Sequence, residues 1–84
     1  MAKDYELAAQ GKQAERILSD EIYRGAVEQV SLDLFEAWKS TSWHQILKRE
    51  FIYRQYKAIG EVETRLRAVM ENGKFAQQVI NKET

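Results

Sequence analysis

The sequence contains no cysteine and no proline, and each absence closes off a class of protein. Without cysteine there are no disulfides to staple a small fold, and the commonest structural zinc sites are excluded. Without proline, and with only four glycines, the chain lacks the turn residues that hairpin-rich sheets require. Net charge is absent as well. Thirteen basic residues balance 13 acidic ones, so no overall field draws the chain to nucleic acid or to an anionic membrane. Long apolar runs are missing, and the ~20 residues of a membrane span are never approached. The opening Met-Ala-Lys-Asp-Tyr-Glu has no apolar signal-peptide core. These absences lead to the expectation of a soluble, cytoplasmic protein with no membrane partner.

What remains is rich in Ala, Glu, Gln, Lys, Arg and Leu, all good helix formers. The expected fold class is all-α. At 84 residues the chain is one domain, burying only about 60% of the surface its unfolded form exposes, so oligomerisation is the expected supplement to its core. Asp4 is placed to cap a first helix reaching Leu18, whose weak stripe of Leu7, Ala8, Ala14, Ile17 and Leu18 is interrupted by Gly11. Ser19-Asp20-Glu21 reads as a new helix start, with the Ser19 hydroxyl as the cap and two acids in the first turn. Ile22, Ala26, Val27, Val30, Leu34, Ala37 and Trp38 then recur at helical spacing, with Ser31 tolerated mid-helix where it faces solvent or bonds backward to the chain. Ser40-Thr41-Ser42 is a polar hinge. After it, one amphipathic helix runs from 42 to 72, with Asn72-Gly73 as a left-handed cap. The predicted organisation is an N-terminal helix over 1–18, an antiparallel helical hairpin over 19–73, and a short helix and frayed tail over 74–84.

The third helix, about 30 residues against about 20 in the second, overhangs its partner by roughly 15 Å. Val62, Leu66, Val69 and Met70 lie on that overhang. They are the candidate self-association residues, to be covered by the first helix or by a second copy. Glu61 with Arg65, and Glu63 with Arg67, have the spacing of helix-stabilising surface pairs.

Charge is segregated. Residues 19–41 carry five acids against two bases, and residues 43–59 carry four bases against one acid. One reading makes Lys48, Arg49, Arg54 and Lys57, interleaved with aromatics, a nucleic-acid contact. The plainer reading makes the two helices hairpin partners with complementary edges, within the chain or across a dimer. The plainer reading is stronger, since helical DNA readers carry a large local basic excess. Trp38, Trp43, Phe51, Tyr53 and Tyr56 crowd the hinge. Trp38 and Phe51 are expected inside, and Trp43, Tyr53 and Tyr56 form a candidate partner patch.

Nothing in the chain specifies a reaction. His44 is the only histidine and has neither a metal-ligand partner nor a carboxylate at helical spacing before it. No cofactor, metal site or catalytic residue is expected.

Ala14-Glu15-Arg16-Ile17-Leu18-Ser19-Asp20, Trp38-Lys39-Ser40-Thr41, Arg49-Glu50, Leu66 and Asn72-Gly73-Lys74-Phe75-Ala76 resemble a group of short all-helical proteins of tailed bacteriophages. These are capping, hinge and core positions, spanning about residues 14–76. The resemblance implies a role in virion assembly or DNA packaging and carries over no binding residue. The sequence therefore points to a non-catalytic helical protein–protein interaction module acting on itself or another protein. Nucleic-acid packaging and inhibition of a host protein are the alternatives.

Overall fold

The computed structural model describes residues 2–83 and consists of three helices: α1 (Ala2–Ser19), α2 (Glu21–Lys39) and α3 (Ile46–Glu83). Among the described residues there is no strand. α1 and α2 follow one another along one side, and α3 runs back antiparallel along the other. Trp38 meets Arg49 near the turn, and Gly11 meets Gly73 towards the far end. The molecule is a flat rod, 61 × 23 × 14 Å. Its radius of gyration is 18.1 Å, against about 12 Å for a compact domain of this length.

A single residue separates α1 from α2. Ser19 Oγ donates to the Glu15 carbonyl at 2.6 Å and so closes α1 rather than opening α2. Asp20 (φ −67°, ψ 126°) is the N-cap of α2, its carboxylate accepting from the Tyr23 N–H at 2.8 Å. The turn to α3 is held more firmly. Ser40 Oγ donates to the Glu36 carbonyl at 2.9 Å, and Thr41 Oγ1 to the Trp38 carbonyl at 2.6 Å. Gln45 Oε1 accepts from the Ser42 N–H at 2.7 Å. Ser42 therefore enters a turn, and α3 begins four residues later than its sequence position suggested.

At the other end α3 overruns its predicted stop. Gly73 is helical and has no positive φ, so Asn72-Gly73 is not a cap, and Lys74 to Glu83 continue the same helix. The expected frayed tail is helical through Glu83, and Thr84 lies outside the described residues. Gly73 is needed for a different reason. A Cβ placed on it would lie 2.6 Å from the Gly11 Cα and 2.8 Å from the Leu7 carbonyl oxygen. The helices touch backbone to backbone here, which only glycine allows on both sides. Gly11, expected to interrupt α1, is the centre of its contact face. Ala8 and Ala14 are buried beside it.

The overhang predicted for α3 does not exist, because α1 covers that half of the helix. From Ile59 the covered positions advance by four and three in alternation: Glu63, Leu66, Met70, Gly73, Gln77 and Ile80. This is the period of about 3.5 residues of an antiparallel coiled-coil seam, widened by Val69, Ala76 and Val79. The buried hydrophobic residues are Ala8, Ala14, Ile52, Ala76 and Ile80. α2 contributes none, and its covered face is Tyr23, Val27, Ser31 and Leu34. Ser31 thus lies on the seam, while Ile22, Ala26, Val30 and Ala37 of the predicted stripe are exposed.

Candidate functional site: an aromatic groove at the turn end

The turn end of the rod is organised by Arg49. Its guanidinium lies over the Trp38 ring, 4.1 Å from the centroid. Its Nη1 donates to Thr41 Oγ1 at 2.9 Å, and Thr41 passes the chain of bonds on to the Trp38 carbonyl. Trp38 is thereby fixed across the α2–α3 junction while remaining partly exposed. Phe35, one helical turn earlier, stacks beside it with a centroid separation of 6.4 Å, and Lys39 Nζ sits 5.6 Å from the Phe35 ring centroid.

Between the two helices this arrangement opens a groove of about 320 Å³, lined by Leu34, Phe35, Trp38, Ile52, Tyr53 and Tyr56. A second recess of about 290 Å³ adjoins it through Trp38 and Tyr53, and brings in Trp43, Ile46, Arg49 and Glu50. The two form one continuous aromatic surface, apolar in the groove and edged by Arg49 and Glu50 in its extension. Its floor is Ile52, which is buried, and Trp43 stands at its end, 85% exposed. Among the described residues no third element lies over it.

The structure brings the predicted patch residues together. Tyr53 and Tyr56 line the groove and Trp43 lines its extension. Phe35 and Trp38 belong with them; the signal available in the sequence was their spacing of three beside an aromatic cluster. Trp38, expected inside, is on the rim at 39% exposure, and Phe51, expected inside, is outside at 62%. Phe51 is one residue before the buried Ile52, and about 100° of rotation carries it off the seam.

The four basic residues are not brought together. Arg49 is half-buried on Trp38 and Thr41, and Arg54 pairs with Glu50 at 3.3 Å. Lys48 and Lys57, nine residues apart, stand on opposite sides of α3. The self-association set divides too: Leu66, Val69 and Met70 are half-buried on the half of α3 that α1 covers, and Val62 remains 56% exposed. Neither Glu61–Arg65 nor Glu63–Arg67 closes to an ion pair among the described residues; Glu36–Lys39, Glu50–Arg54 and Glu71–Lys74 do.

His44 sits in the turn with its ring edge-on to Trp43, 5.6 Å between centroids. Among the described residues no three His, Cys, Asp or Glu side chains are grouped to hold a metal ion, and no helix is long and apolar enough to cross a membrane. A larger recess of about 470 Å³ at the α1–α2 bend is polar and open, and its five lining residues are all exposed. Comparison of the chain with protein-family models, curated proteins and solved structures finds no match, so any reading of function rests on the geometry of this groove and its surroundings.

Proposed function

We propose that the chain is a non-catalytic helical protein–protein interaction module that uses the aromatic groove as its contact surface. The observation that carries this reading is a continuous aromatic surface, from Phe35 to Trp43, over which no third element lies among the described residues. Tyr and Trp rings on a fixed backbone are the side chains that anchor protein interfaces, giving large contact area at small entropic cost. The resemblance to short helical proteins of tailed phages would place such a module in virion assembly. The scattered arrangement of Lys48, Arg49, Arg54 and Lys57 favours a protein surface over nucleic acid.

The test is the double variant Trp43→Ser, Tyr53→Ser, compared with the unmodified chain by light scattering at tens of micromolar and by capture from a lysate. The variant is expected to keep its helical circular dichroism and to lose association, with itself or another protein, by at least about a hundredfold. Association undiminished in the variant, or no association by the unmodified chain in either assay, would rule the module out. Salt-sensitive retention of duplex or single-stranded DNA through Lys48 and Lys57 would favour packaging instead.

A further inference from the structure

We propose that α2 opens from α3 as a unit of its own, hinged at Asp20 and at the 40–45 turn, while α1 stays docked. The proposal concerns how the molecule moves and does not depend on what the groove binds.

Burial is unequal along the rod. The buried cluster is Ala8, Ala76 and Ile80, with Leu7 packed against it, and all four lie where α1 meets α3. Gly11 and Gly73 bring the two backbones together in the same contact. Between positions 46 and 63 of α3, alongside α2, the covered residues among those described are Arg49, Ile52, Ile59 and Glu63. Of these Ile52 is the buried one, and Tyr56, at the next seam position, is exposed. α2 answers with Tyr23, Val27, Ser31 and Leu34, none of them buried.

Other features of this half point the same way. Gly25 in α2 and Gly60 in α3 each weaken their helix, and a Cβ on either would meet nothing within 4 Å. Unlike Gly11 and Gly73, they are not required by a close approach. Among the described residues the polar ties between the two sides are those of Arg49, to the Trp38 ring and to Thr41, both at the turn. Towards Asp20, α2 is held by packing alone.

A free helix of 19 residues is marginal in water. α2 therefore depends on its packing against α3, and that packing is the poorest of the three helices. Its connections let it leave alone, since Asp20 is a single extended residue and the other end is a turn. In leaving, α2 uncovers Leu34 and Ile52, the least exposed lining of the groove. The groove thus has a closed form and an open one. This is an order of stability, set by burial; the order in which contacts first form depends on loop length instead.

Native-state hydrogen exchange of the full chain in sub-denaturing urea tests the proposal. Amides of residues 27–35 are expected to be at least about tenfold less protected than those of residues 8–14, with a weaker urea dependence. Ala14→Gly, which removes a buried methyl group from the α1–α3 contact, should lower protection in α1 about fivefold or more. It should leave α2 unchanged, because α2 opens with that contact still in place. Gly25→Ala should raise protection about fivefold in both helices, since closing α2 stabilises the whole native state. Equal protection in α1 and α2, or α1 the less protected, would overturn the proposal. So would Ala14→Gly lowering protection equally in both, or Gly25→Ala leaving α2 unchanged.

Discussion

Gly73 looks, in the sequence, like the end of a helix, and in the fold it is the point of closest approach between two helices. The same property serves both roles, a missing Cβ, and only the neighbours distinguish them. After Asn72 the residue has the local pattern of a left-handed cap. What overrides it is Gly11, 62 positions earlier, whose backbone occupies the space any side chain would need. Gly73→Ala is therefore expected to destabilise the chain by about 1–3 kcal/mol, the usual cost of overpacking, although alanine is the better helix former. Urea unfolding would show it, and a variant equal to or more stable than the parent would contradict the backbone contact. Residue-level reading found the helix break at 19–21, a local signal, but gave the cap to the Ser19 hydroxyl where the Asp20 carboxylate makes it. It failed at Gly11 and Phe51, where the cause was the opposing helix.

At the level of elements, composition and apolar spacing were enough to show helices, their order, and a hinge near 40–42. They did not show where α3 starts or ends. Its covered face includes Arg49, Glu63, Gln77 and Gly73, so the alternating four-and-three seam is not an apolar stripe and does not read as one. The α1–α2 boundary depends on one side chain. Removing the Asp20 carboxylate orphans the Tyr23 N–H, and Asp20→Ala is expected to cost about 1 kcal/mol. Thermal melts would register this as a fall of several degrees, and hydrogen exchange as faster loss of the first-turn amides of α2. No change in either would mean that packing against α3, not the cap, sets the boundary.

The whole molecule is long because its two sides are matched in length: α1 and α2 together oppose the full 38 residues of α3. That match also removes the predicted overhang. The expectation that something must cover Val62 to Met70 is met for most of that stretch by α1, and the uncovered surface moves to the turn end. Solution X-ray scattering of the single chain should give a maximum dimension near 61 Å and a radius of gyration near 18.1 Å. A radius of gyration close to the ~12 Å of a compact domain of this length would contradict the rod.

The contact between Gly11 and Gly73 has a kinetic meaning. It joins segments about sixty residues apart, so closing it costs more chain entropy than any contact near the turn. The Arg49–Trp38–Thr41 cluster closes a loop of roughly ten residues and can form on a far shorter timescale. Folding should accordingly begin at the turn and proceed along α2 and α3 as a closing zip, with α1 docking last. The tightest place in the native molecule is then the place the chain reaches at the end.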